Sequence, residues 1–136
     1  MFWKKKPKID VRKESIEKAA RWWANQLCDP SEWDNGDISN VGAMTKLLAG
    51  MARTSHTKEA SDRFYTELVK IITDRWGEAP IFILSTDYHP GYYLQEAANN
   101  ANVFLGMSDL PCKTTMWIRK DSVSVACGYA VSSVEL

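Results

Sequence analysis

The chain has little of what usually announces a reaction. Its two histidines and three cysteines, Cys28, Cys112 and Cys127, form neither a Cys-x-x-Cys nor a His-x-x-x-His pattern. Zinc-ligand spacing and a dithiol redox pair are therefore missing. The glycines are dispersed, so there is no phosphate-cradling loop, and no Gly-x-Ser-x-Gly elbow marks a nucleophile. No metal and no cofactor are expected. Long apolar runs are missing too: no segment approaches the about 18 residues of a membrane span. The MFWKKKPK stretch has a basic run without the apolar segment of a signal peptide. A soluble cytoplasmic protein with reduced thiols, away from membranes, is the expectation.

Excess charge is also absent, with 17 Lys and Arg against 17 Asp and Glu. A neutral chain has no global field to draw it onto nucleic acid, nor the acidity of a DNA mimic. The charge is uneven all the same. Residues 1–21 hold eight basic residues against Asp10, Glu14 and Glu17, whereas CDPSEWDNGD, residues 28–37, carries only acidic charge. Residues 1–10 read as a flexible basic tail. The basic N-terminal segment with Trp3, and Lys113, Arg119 and Lys120 with Trp117 on the hairpin, give a weak nucleic-acid signal that the neutral total opposes.

What is present is the material of one packed domain spanning residues 1–136, since 45% of the residues are hydrophobic. In SIEKAARWWANQL, residues Ile16, Ala20, Trp23 and Leu27 recur at helical spacing, with Ser15 as an N-cap and Trp22 at a half-exposed margin. The acidic loop follows, with Pro30, Asn35 and Gly36 as turn formers. It lacks the spacing of a calcium-binding loop. NVGAMTKLLAGMART reads as a second helix, capped by Asp37 or Ser39. The third and best-defined helix opens at Thr57, buries Phe64, Leu68, Ile71 and Ile72, and stops at Gly77. His56, just before it, reads as an exposed or capping residue.

After Ala79-Pro80 the pattern changes. IFILSTDY is dense in β-branched and aromatic residues and reads as a central, buried strand. HPGYYLQEAANNANV reads as a helix with Pro90 in its first turn, and KTTMWIRKDSVSVACGYAV as a hairpin turning at Lys120-Asp121. The fold class expected is α+β: N-terminal helices, a strand, a helix and a C-terminal β-hairpin, giving a small three-stranded sheet covered by helices on one face. A right-handed crossover would follow if the strands flanking the fourth helix were parallel.

The segment STDYHPGYY, residues 85–93, places three tyrosines, an aspartate and a histidine where strand gives way to helix. Ligands favour the carboxyl ends of strands in such units. Asp87, Tyr88 and His89 would stand at that mouth, and Tyr92 and Tyr93 would offer rings for stacking and hydroxyls for hydrogen bonds. A helix cap at Asp87 and core-edge packing of the tyrosines is the plainer account of the same residues. Trp33, Asp34 and Asp37 of the acidic loop form a second candidate binding surface. Cys112, Ser85 or Thr86 near His89 could supply a nucleophile, as in a Cys112, His89, Asp87 arrangement, but none carries a recognised elbow or family signature.

The MFWKKK stretch, the SIEKAARWWANQL helix with its DNGD loop, the DYHP turn and KTTMWI with VSVACGYA resemble a group of small, uncharacterised accessory proteins of bacteriophages and prophages. The resemblance extends over nearly the whole chain. It implies a non-structural phage protein acting in the cytoplasm of a bacterial host, and such proteins often counter host immunity by binding a defence protein or sequestering a nucleotide signal. A stoichiometric binding module is thus the expected function, with a small hydrolase or transferase using His89 as the alternative. A homo-oligomer is compatible with the sequence.

Overall fold

The computed structural model describes residues 6–28, 56–106, 109–128 and 133–136, with side chains from Arg12 onward. The expected second helix and the acidic loop with Trp33, Asp34 and Asp37 lie outside the described residues, as do residues 1–5. Helix α1 spans Lys6–Asn25, α2 Lys58–Arg75, β1 Ile81–Ser85 and α3 Tyr92–Ala101; β2 spans Thr115–Arg119, β3 Ser122–Ala126 and β4 Val134–Glu135. The domain is α+β, as its order of patterns predicts.

Helix α1 begins at Lys6, so the second half of the stretch read as a tail is helical. Pro7 sits in the first turn, where its missing N–H has no intrahelical acceptor to lose. Ser15 is consequently not a cap. It is buried within the helix, and its hydroxyl donates to the Lys120 carbonyl at 3.1 Å, which ties α1 to the β2–β3 turn. Trp22 and Trp23 are both buried, meeting edge to face at 5.0 Å, so no half-exposed margin exists at Trp22. The Trp23 indole donates to Met116 Sδ at 3.2 Å and couples helix to sheet.

Thr57 caps α2 by accepting from the Ala60 N–H. The helix buries Ala60, Phe64, Leu68, Ile71 and Ile72 along one face, as the apolar spacing dictates. Ser61 donates to the Ala24 carbonyl at 2.8 Å, a close helix contact that its small side chain permits. Gly77 follows the helix at φ +64°, a backbone that a side chain rarely adopts.

The sheet order is β1-β2-β3-β4, with every pair antiparallel. The condition for a right-handed crossover is thus not met, because β1 and β2 run in opposite directions on either side of α3. Among the described residues the sheet has four strands rather than three. β4 pairs Ser124 with Glu135 and Val125 with Val134, and two residues are too few to print an alternation in the sequence. The Lys120-Asp121 turn stands where the pattern places it.

Among the described residues β1 lies at the sheet edge, not its centre. A continuous apolar run such as IFIL suits a strand covered on both faces, yet the described helices pack on one face only. Phe82, Leu84, Met116, Ile118, Val123 and Val125 point into the core, while Ile83 is 50% exposed on the other side. Helix α2 packs against both α1 and α3; α1 touches β2 and β3, and α3 touches β1. Burying a large apolar side chain in this layer contributes about 1.5–3 kcal/mol.

Candidate functional site

The strand-to-helix corner is built by Thr86 and Gly91. Thr86 extends the β1–β2 ladder by donating its N–H to the Thr114 carbonyl at 2.8 Å. Its buried hydroxyl donates to the Pro111 carbonyl at 2.6 Å and accepts the Thr114 N–H at 3.1 Å. One side chain thereby satisfies two backbone groups of the loop before β2. Thr86 also pairs with Pro90, closing residues 87–89 into a tight excursion in which the Asp87 N–H donates to the His89 carbonyl at 3.0 Å.

Gly91 is the N-cap of α3, two residues later than a helix led by Pro90 would have it. A Cβ there would lie 2.3 Å from the Ser85 carbonyl oxygen. The chain therefore turns back against its own strand at that point.

The excursion is locked from the opposite side by Lys113. Its N–H donates to the Asp87 carbonyl at 2.9 Å, and its backbone adopts φ +53°, a left-handed conformation costly for a side-chain-bearing residue. That conformation carries the ammonium to Asp87 Oδ1 at 2.7 Å and to 4.7 Å from the Tyr88 ring centroid. Asp87 is thus an ion-pair partner rather than a helix cap.

Tyr88 is 53% exposed and Tyr92 74% exposed. Tyr93 turns inward instead, its ring 5.1 Å from that of Phe82 and 5.6 Å from that of Tyr92. Arg75 lies 5.8 Å from the Tyr93 ring and bonds Glu96 Oε2 at 2.6 Å. Glu96 raises the Arg75 pKa further, with the Tyr92 hydroxyl beside the same guanidinium. The corner presents two exposed phenol rings on a braced backbone, flanked by two ion pairs.

Of the residues singled out in the sequence, Asp87, Tyr88, His89 and Tyr92 come together at the exposed corner, and Tyr93 joins the core edge beneath it. Trp33, Asp34 and Asp37 lie outside the described residues. The His89 ring is exposed and makes no hydrogen bond or ion pair among the described residues. The Asp87 carboxylate is engaged by Lys113, not by the His89 ring. Cys112 is exposed and free. These three therefore do not stand as an oriented nucleophile, base and acid. Among the described residues no group of histidine, cysteine and carboxylate side chains could hold a metal ion. No described helix is long and apolar enough to cross a membrane.

Two partners escaped the sequence reading. Lys113 is 26 positions from Asp87 in the chain, and backbone bonds between Thr86 and Thr114 and between Lys113 and Asp87 bring them together. His56 is largely buried rather than exposed or capping: its Nε2 is 2.9 Å from Asp109 Oδ2, which also accepts the Gly106 N–H at 2.8 Å. This pair staples the start of α2 to the loop after α3. No protein-family model matches the chain, and no curated protein matches it.

Proposed function

We propose that the protein is a stoichiometric binding module whose contact surface is the corner formed by Tyr88, Tyr92, Asp87 and Lys113. The observation that carries the reading is exposure combined with bracing. Tyr92 is 74% and Tyr88 53% exposed, yet the backbone beneath them is fixed by Thr86, Gly91 and Lys113. Rigid, amphipathic tyrosines are the side chains that most often anchor protein interfaces, because they lose little conformational entropy on binding. The neighbouring ion pairs supply a charged rim of both signs.

A protein surface is the partner this chemistry favours. The resemblance to phage accessory proteins makes a bacterial defence protein the proposed class, and inhibition by occupancy the proposed mode. The test is capture from bacterial lysate with the intact chain beside Tyr88→Ala and Tyr92→Ala chains, followed by titration of the captured partner. Support requires about one site per chain and affinity lost by a factor of about 30 or more in either variant, corresponding to about 2 kcal/mol. Full-strength binding by both variants would remove the corner from consideration. Turnover of a molar excess of a small substrate would replace the module with an enzyme.

A further inference from the structure

Among the described residues the exposed large apolar side chains are Ile83, Tyr88, Tyr92 and Phe104. Three of these four lie between β1 and the first turn of α3, which sets the tyrosine corner and the outer edge of β1 side by side.

The direction of the backbone groups on that edge follows from the ladder. The Thr86 N–H bonds the Thr114 carbonyl, and in the same register Leu84 faces Met116 and Phe82 faces Ile118. Bonded and non-bonded pairs alternate in an antiparallel ladder. Phe82 and Leu84 therefore turn their N–H and C=O towards β2, and Ile81, Ile83 and Ser85 turn theirs away from it. The Ser85 carbonyl obeys this parity, since it lies on the outer side against Gly91. The chain thus fills its own edge at Ser85 and, through the Thr86–Pro90 bridge, at Thr86. It goes no further. No hydrogen bond among the described residues takes up the N–H or C=O of Ile81 or Ile83.

Natural edge strands are blunted by a charge, a proline or a bulge. Ile81–Ser85 has no charge or proline, and its register with β2 is unbroken. Ile83 is 50% exposed on the outer face, beside its ladder partner Trp117. A run with the composition of a central strand is left with unmet backbone groups along one side, and one more strand beside it would make it central.

A second copy of the chain does not fit there. Two β1 strands paired about a two-fold axis would stand about 4.8 Å apart, with both α3 helices on the same face of the sheet. Each α3 packs on its own β1, whereas helix axes need about 8–10 Å between them. An extended segment that carries no helix meets no such obstacle.

From this edge we propose that the partner of the tyrosine corner contributes an extended segment that pairs with Ile81–Leu84 as an added strand. The inference rests on the binding reading above and names the form of its partner. Main-chain bonds to Ile81 and Ile83 hold the segment, and its alternate side chains set the sequence preference. An apolar, β-branched residue belongs opposite Ile83, where Trp117 extends the apolar strip. Tyr88 and Tyr92 stand at the Ser85 end.

The probe is a displayed library of random peptides long enough to span β1, selected on the intact chain and then titrated singly. Selected peptides should alternate in hydrophobicity, lack proline over the paired stretch and bind with Kd below about 100 μM. Ile81→Pro and Ile83→Pro remove only N–H groups that face away from β2, so the ladder survives. Each should weaken binding by about tenfold or more, with thermal unfolding near that of the parent chain, whereas Ile83→Thr, which keeps the N–H, should lose less. Amide exchange gives a second readout that needs no variant: bound peptide should slow Ile81 and Ile83 more than Phe82 and Leu84. Should both proline variants unfold, that alternation decides alone. Failure to select any peptide, binding that both folded proline variants leave unchanged, or exchange slowed evenly along β1 would overturn the proposal. Tyr88→Ala and Tyr92→Ala report on the corner separately: loss in the proline variants alone upholds the edge without the corner, and loss in the tyrosine variants alone rejects the edge.

Discussion

A Cβ at Gly91 would stand 2.3 Å from the carbonyl oxygen of Ser85, at the point where β1 hands over to α3. The obstacle is backbone, so no side chain can swing away to make room. Gly91→Ala should therefore destabilise the fold by about 1–3 kcal/mol, the usual cost of overpacking. Denaturant titration should show a lower midpoint with an unchanged slope. An alanine variant as stable as the parent would mean that the turn relaxes freely, and the bracing of the corner would be lost as an argument.

The ion pair beside that turn should matter far less to stability. Asp87 is 69% exposed and Lys113 30% at the side chain, and exposed pairs contribute about 0–1 kcal/mol. A double-mutant cycle on Asp87→Asn and Lys113→Gln should give a coupling below about 1 kcal/mol, falling with added salt. Coupling that resists salt would show the pair to be shielded from solvent, against the exposure of Asp87.

The ends of α2 were legible because its signals are local: Thr57 caps three residues ahead and Gly77 stops the helix where an αL residue is needed. The hairpin turn at Lys120-Asp121 is local in the same sense. The failures are of another kind. Whether IFIL is central or edge depends on which strands pair beside it, here β2 alone among the described residues, which no window of five residues records. The start of α1 was missed because Ser15 has the chemistry of a cap but is claimed by the Lys120 carbonyl, 105 residues away. At the corner, the exposed tyrosines could be read from their place after a strand. Lys113 could not, since its role arises from a left-handed backbone and a ladder contact.

His56 and Asp109 give a third prediction. Their side chains are only 16% and 10% exposed, and Asp109 serves both the imidazole and the Gly106 N–H. Asp109→Ala leaves two donors without an acceptor, and each orphaned buried group costs about 1–3 kcal/mol. A loss of about 2 kcal/mol or more is expected in urea unfolding, with accelerated amide exchange at Gly106. His56→Ala should cost less, because Asp109 keeps its backbone donor.

The thiols differ in environment, and their chemistry should follow. Burial pushes the Cys127 thiol up from its ordinary 9.0 to about 11, with a Thr114 hydrogen bond acting weakly the other way. Cys112 is exposed. At neutral pH an alkylating agent should label Cys112 well before Cys127, as followed by mass spectrometry of the intact chain and its peptides. The folded state keeps the Cys127 proton where the unfolded chain gives it up. The stability tied to this thiol is thus present below pH 9 and lost as pH rises towards 11. Cys127→Ser should flatten that part of the stability curve, and an undiminished decline would assign it to other groups.

Tyr88, Tyr92 and Tyr93 share one short segment but occupy different surroundings, which makes them a direct test of the binding reading. Tyr93 packs on Phe82 at the core edge, so Tyr93→Ala should cost about 2 kcal/mol of stability, less than the 3–5 kcal/mol of a fully buried aromatic. Tyr92 is 74% exposed and Tyr88 53%. Removing Tyr92, which loses an edge contact with Tyr93, and removing Tyr88, which loses an exposed cation–π contact with Lys113, should each change stability by no more than about 1 kcal/mol. The same two variants should lose about 2 kcal/mol or more of affinity for a partner seated on the corner. Opposite orderings in the two assays, with Tyr93 leading in unfolding and Tyr88 and Tyr92 leading in binding, identify exposed rings that serve recognition. If Tyr88→Ala and Tyr92→Ala instead unfold the chain as readily as Tyr93→Ala, the three tyrosines are one packing unit and recognition belongs to another surface.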